Sequence, residues 1–169
     1  GWAYSDFAFF ASVHQRWIDA IERRQGPIRP SDFEFFHSEK ANWDLPTNFK
    51  HLLSGLALSP IDGAVQKGVA AQTVLEQARV ALALERYRLA RGEFPGALDP
   101  LVPQYLDAVP VDVMTDEPLG YRRVSANDFL LWSAGWDAVD NGGKPVDPTT
   151  KKGDIVWMRL PVSAKAASK

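Results

Sequence analysis

The sequence predicts an α+β fold: a helical, aromatic-rich N-terminal region followed by a long helix packed on a small antiparallel β-sheet. Three observations predict it. Apolar residues recur at three- and four-residue spacing near the N-terminus and again between residues 61 and 91. Beyond Pro95 the chain changes to short segments punctuated by Pro, Gly, Asn and Asp. Two of those segments, Leu119–Val124 and Phe129–Ser133, flank Ser125-Ala126-Asn127-Asp128 as the arms of a hairpin flank its loop.

Composition narrows the function. Of 169 residues, 46% are hydrophobic, enough for a real core, and 24% are charged. The formal net charge of −2 supplies no basic field for a phosphate backbone, which argues against nucleic acid as a partner. Without cysteine there are no thiol nucleophiles, disulfides or Cys-ligated zinc. The longest apolar cluster, Phe7–Ala11, is far short of the ~20 residues of a membrane span, so no membrane insertion by this chain itself is expected. No signal peptide is visible, and Gly1 in place of Met suggests an expressed fragment with any signal or membrane anchor upstream.

In order, residues 2–25 read as a helix with an apolar stripe of Phe10, Val13, Trp17, Ile18 and Ile21, stopped by Gly26-Pro27. Ser31 and Glu34 suggest a capping box for a second short helix carrying Phe33, Phe35 and Phe36. Pro46-Thr47-Asn48 opens a third, with Phe49, Leu52, Leu53 and Leu56. Eleven of the nineteen aromatics fall in the first fifty residues, which therefore require burial, either in a small helical core of their own or against sequence upstream.

Ser59-Pro60-Ile61-Asp62 has the chemistry of a helix start: a cap, Pro at N1 and an acid at N3. The helix is expected to stop at Gly92, with Pro95 just beyond. Ala71, Val74, Leu75, Ala78, Ala81, Leu82 and Leu89 form one apolar stripe; Val69, Val80, Leu84 and Tyr87 form another almost opposite. Two stripes predict a helix packed on both sides, by a sheet and by the N-terminal helices. Glu85 lies in the larger stripe and reads as a rim carboxylate paired with Arg122 or Arg123.

Further on, Asp99-Pro100-Leu101-Val102 reads as a helical turn, Thr115-Asp116-Glu117-Pro118 as a turn, and Ile155–Arg159 as the last strand. These elements divide the chain into residues 1–60 (helical, aromatic-rich), 61–162 (α+β domain) and 163–169 (a fraying tail of Ala, Ser and Lys).

Six fragments in order carry a resemblance. They are Leu84, Tyr87, Gly92, Phe94 and Pro95; Leu101-Val102-Pro103-Gln104-Tyr105-Leu106; Pro110-Val111-Asp112-Val113; Tyr121-Arg122-Arg123; Leu131, Ser133, Gly135 and Asp137; and Asp154-Ile155-Val156-Trp157. Residues 66–159 thereby resemble the soluble domain of the major pseudopilin of type II secretion systems, with its type IV pilin-like fold. The resemblance implies a pseudopilin-like head, protein partners, and a bacterial cell-envelope, periplasmic or exported location. It implies calcium as a cofactor in the Gly/Asp loop, with Asp137 and Asp154 as the matched carboxylates. Asp140, Asn141 and Asp147 are further oxygen donors in a loop that is longer here, and Ala138 stands where the family has Gly. Gln66 is not preceded by the family's continuous apolar stem, so the head is expected to be a C-terminal module of a different, longer protein.

No catalytic constellation is expected. His14, His37 and His51 lack the i, i+4 spacing of a metal pair, and no nucleophile elbow, P-loop or dinucleotide fingerprint occurs. The expected role is a non-catalytic secretion-related interaction module. Two alternatives stand beside it. One is a carbohydrate- or peptide-binding module using Trp136 and the loop to residue 154, with Trp132 and Trp157 close by. The other is a small hydrolase with His37 and His51 in one pocket.

Overall fold

A computed structural model describes residues 1–23, 28–33, 52–150 and 152–157. The fold is α+β, with helices α1 (Trp2–Glu22) and α2 (Leu52–Arg91) and strands β1 (Gly120–Ser125), β2 (Asp128–Ser133) and β3 (Ile155–Val156). Short 3-10 turns occur at Pro30–Phe33 and Asp99–Leu101. The chain forms two compact units. The first holds Gly1–Leu75 and Asp112–Asp116; the second holds Glu76–Val111 and everything from Glu117 onward.

In the first unit, α1 buries Val13 and Trp17, four residues apart on one face, against Phe9, Phe10, Ile28 and Val65. Ile21, at the end of the expected stripe, is exposed. Polar contacts complete this small core. The buried Asp6 carboxylate accepts from the Ser54 hydroxyl and from the Ser54 backbone N–H at 3.3 Å, so α1 caps the first turn of α2. The Ile28 N–H donates to the Gln72 side chain at 3.1 Å, and Arg29 pairs with Asp116. Asp32 closes the short turn by accepting from the Arg29 N–H at 2.8 Å. The expected partner Glu34, with Phe35, Phe36, Trp43, Phe49, His37, His51, Met158, Arg159 and the 163–169 tail, lies outside the described residues.

Helix α2 begins at Leu52, not at Ser59, and runs unbroken for 40 residues. The cap signal at Ser59-Pro60 falls inside it. Pro60 cannot donate to the carbonyl four residues back, so helix on both sides carries the continuity of that turn. Gly92, with φ +87°, ends the helix by donating to the Arg88 carbonyl at 2.7 Å.

In the second unit, α2 turns Val80, Ala81, Ala83 and Leu84 into a core shared with Phe94, Leu98, Leu101, Leu106, Leu119, Phe129 and Leu131. The core stripe is therefore the smaller of the two expected. The larger is mostly exposed, with Leu82 at 68% and Leu89 at 76%, although Ala81 is buried. The expectation of packing on both sides is corrected for these leucines. Chain length per turn explains it: Leu82 and Leu84 lie about 200° apart on an α-helix, so burying one turns the other out. Glu85 pairs with Arg88 at 2.8 Å, and the hairpin's Arg123 pairs with Glu93 at 3.1 Å. Among the described residues, no helix is long and apolar enough to cross a membrane.

The sheet is an antiparallel meander in the order β1-β2-β3. Tyr121 faces Leu131 and Arg123 faces Phe129 across the β1–β2 pair, with an irregularity between Arg123 and Ser125 before the Ala126-Asn127 turn. The segment after α2 is pinned to this hairpin. Phe94 N–H donates to the Ala126 carbonyl at 3.1 Å, Tyr121 Oη–H to the Pro95 carbonyl at 2.7 Å, and Arg123 to the Phe94 carbonyl at 3.0 Å. The Phe94 ring meets Phe129 edge-on at 4.8 Å. At the far edge, the buried Gln77 amide donates to the Ile155 carbonyl at 2.5 Å, tying α2 to β3.

Candidate functional site

Alternation along β2 decides where the Gly/Asp loop goes. Phe129 and Leu131 point into the helix-side core, so Leu130 and Trp132 point to the opposite face. That face is covered by the loop between β2 and β3. Gly143, at φ +82°, lies so close to Leu130 and Trp132 that a Cβ there would strike the Leu130 side chain. On the neighbouring strand Gly120 faces Trp132, and a Cβ there would collide with the indole. Trp132 thus lies between two glycines, buried rather than offered to a ligand.

The predicted loop carboxylates each hold backbone. Asp154, 1% exposed at the entry to β3, accepts from Asn141 N–H at 3.0 Å (Oδ1) and from Gly143 N–H at 2.7 Å (Oδ2). Its own N–H donates to the Lys144 carbonyl at 2.7 Å, so both strands of the loop mouth are closed through one residue. Asp140 Oδ1 accepts from the Trp132 indole at 2.8 Å and from Gly142 N–H at 2.7 Å. Asp137 Oδ1 receives Val139 N–H at 3.4 Å in a turn that places Ala138 at φ +53°. Asn141 uses its side-chain amide to donate to the Val139 carbonyl at 2.8 Å. Asp147 sits apart in an exposed turn, where the N–H groups of Thr149 and Thr150 hold its carboxyl below the ordinary range.

The structure therefore brings Asp140, Asn141 and Asp154 to one loop mouth, and each carboxylate there is turned to N–H donors. Among the described residues, no group of three or more His, Cys, Asp or Glu side chains could hold one metal ion.

No family model, curated protein or solved structure matches this chain.

The remaining sequence candidates are placed as follows. Trp136 is half-buried beside Asp137, and Trp157 packs against the second unit's core. His14 is exposed and stacks on Phe10 at 5.9 Å. Sequence reasoning missed three polar contacts that organise the units: Asp6 with Ser54, Gln77 with Ile155, and Trp132 with Asp140. A polar residue within an apolar stripe was the available signal for Gln77, which falls on the Val69–Val80–Leu84 face of the helix.

Proposed function

We propose that this chain is a non-catalytic interaction module of the bacterial cell envelope, related to secretion, whose second unit is a pseudopilin-like head. One observation supports the reading most. Five of the six fragments that carry the resemblance meet in a single core: Leu84 from the helix and Phe94 after its Gly stop, Leu101 and Leu106 from the Leu-Val-Pro-Gln-Tyr-Leu segment, and Leu131 from the hairpin, with Tyr121 and Trp157 packed against it. Their spacing in sequence is thereby accounted for by a shared packing role. The closed Gly/Asp loop supports the same reading, because it covers the sheet face opposite the helix.

The test is site-specific photo-crosslinking in a bacterium with an assembled type II secretion machinery, with the reactive residue placed on exposed positions of the second unit. Cross-links to pseudopilins or to their inner-membrane platform are expected. Cross-links confined to proteins outside the envelope would overturn the reading.

Calcium belongs to the proposal as a ligand that would share the Asp154 carboxylate with the Asn141 and Gly143 N–H groups, since each oxygen keeps a further lone pair. Calcium at ~1 mM that raises the melting temperature by several degrees, with the gain lost in Asp154→Ala, assigns the loop to the ion. An unchanged melting temperature assigns it to the hydrogen bonds alone. A second reading, a carbohydrate- or peptide-binding surface, draws on the partial exposure of Trp136 beside the loop. It predicts quenching of tryptophan fluorescence by oligosaccharides or peptides, with the response lost in Trp136→Ala.

A further inference from the structure

We propose that Asn141-Gly142 is a latent deamidation site: the closed mouth of the Gly/Asp loop holds it unreactive, and opening of the loop releases it to convert irreversibly into an acidic residue that keeps the mouth open. Of the four asparagines in the chain, Asn141 alone precedes a glycine. In such a pair the glycine nitrogen can attack the asparagine side chain, because no Cβ hinders closure of the five-membered ring. Gly142 N gives up its proton and bonds to Asn141 Cγ. The Cγ–Nδ2 bond breaks, and Nδ2 leaves as ammonia with that proton. Water then opens the succinimide at either carbonyl, giving aspartate or isoaspartate. Space for the ring is present: Gly142 is exposed, and nothing lies within 4 Å of the position its Cβ would take.

In the closed loop every group that ring closure needs is tied elsewhere. The Gly142 N–H donates to Asp140 Oδ1 at 2.7 Å, so a deprotonated Gly142 nitrogen would face a carboxylate at hydrogen-bond distance, a like-charge contact that holds the proton on. The leaving nitrogen, Asn141 Nδ2, donates to the Val139 carbonyl at 2.8 Å. The side chain is thereby held against the residue two positions before it, while the attacking nitrogen lies one position after. Asp154, 1% exposed, fixes the backbone on both sides by accepting from Asn141 N–H at 3.0 Å and Gly143 N–H at 2.7 Å. Turning the Asn141 side chain onto the Gly142 nitrogen requires these bonds to open, so reaction follows local opening of the mouth. The product does not close again. Aspartate at 141 sets an acceptor where Nδ2 donated to the Val139 carbonyl and adds a charge next to Asp140. Isoaspartate lengthens the backbone by a methylene and draws the Gly142 and Gly143 N–H groups off Asp140 and Asp154.

The experiment incubates the full chain at physiological pH and temperature and quantifies aspartate and isoaspartate at position 141 by peptide-mapping mass spectrometry, beside a free peptide of residues 137–145. The full chain is expected to deamidate at Asn141 at least about tenfold more slowly than the peptide. Asp154→Ala and Asp140→Ala are expected to lose most of that protection, the second judged against a peptide with the same substitution, while hydrogen exchange reports that β1 and β2 keep their fold. Amide exchange of Gly142 and Gly143 in the wild type measures the same opening without any substitution, and its slowing should match the slowing of deamidation to within about tenfold. Asn141→Asp, which carries the product charge from the start, should exchange those two amides several-fold faster than the wild type. Deamidation of the wild type at the peptide's rate overturns the proposal, as does a rate that neither carboxylate variant changes. A slowing of deamidation unrelated to amide exchange also overturns it, and so does an Asn141→Asp loop that exchanges like the wild type.

Discussion

Among the described residues of the first unit, Val13 and Trp17 are buried in one cluster with Phe9, Phe10, Ile28 and Val65; Val69, Val113 and Met114 are buried as well, and directional polar contacts fix the chain: Asp6 on Ser54, Ile28 on Gln72, Arg29 on Asp116. Among the described residues, the second unit gathers eleven buried apolar residues into one cluster from one helix, two connecting segments and one strand, and it uses polar groups mainly at its edges. Apolar burial is non-directional and cumulative, whereas a buried polar contact is decided by one or two atoms. The contrast teaches where each unit can be broken: the second by removing volume, the first by removing a single acceptor.

The largest expected effect is in the second unit's core. Phe94 is fully buried, ringed by Phe129 and overlain by Arg88, and Phe94→Ala should cost about 3–5 kcal/mol in urea unfolding of the second unit. Hydrogen exchange that leaves β1 and β2 protected in this variant would show that the hairpin does not depend on the turn after α2. Next comes Asp6→Ala, which strips the acceptor from a buried Ser54 N–H and leaves the Ser54 hydroxyl only the Asp6 backbone carbonyl at 2.9 Å. A loss of about 1–3 kcal/mol is expected, read as faster exchange in α1 and the first turn of α2 with the β-hairpin unaffected. An equal loss in both regions would dissolve the contrast between the two units.

A smaller, local effect is expected at the loop mouth. Asp154→Ala removes the acceptor of Asn141 and Gly143, and their amides should exchange faster, at a cost of about 1–2 kcal/mol to loop closure. The smallest effect is a pH dependence. The Tyr121 phenol is raised to about 12, mainly by burial, with Tyr87 adding and Arg123 opposing. A raised folded-state value means that this contribution to stability is whole below the ordinary phenol value of ~10 and is lost as pH climbs from there through about 12. Melting curves of Tyr121→Phe should lack that alkaline loss, whatever stability the missing hydroxyl bond to the Pro95 carbonyl removes at neutral pH.

Much of the second unit was legible because its elements are written locally. The hairpin around Ala126-Asn127, the 3-10 turn at Asp99–Leu101 and the stop at Gly92 all follow from turn and cap chemistry within a few residues. What was not legible depends on residues far apart in sequence. Period alone shows that α2 has two apolar stripes; it does not say which one the sheet covers, and the larger stripe was the wrong guide because Phe94, Leu101 and Leu131 come to the smaller. Asp6 and Ser54 are 48 residues apart, and no local pattern joins them. The start of α2 was misplaced because Ser59-Pro60 has start chemistry that the backbone overrides. At the loop, the residues Asp140, Asn141 and Asp154 were legible as a set of oxygen-bearing side chains. Their use was not, since an Asp that receives backbone N–H groups and an Asp that faces a cation have the same letter.

The two faces of α2 carry the account, and paired melts of Leu82→Ser and Leu84→Ser test them most directly. Leu84→Ser should lose several kcal/mol of stability, in the range of about 2–5 for a fully buried leucine, whereas Leu82→Ser should stay within ~0.5 kcal/mol of the parent chain. Equal losses in the two variants would contradict it, because they would mean that Leu82 is a core residue like Leu84 and not an exposed one.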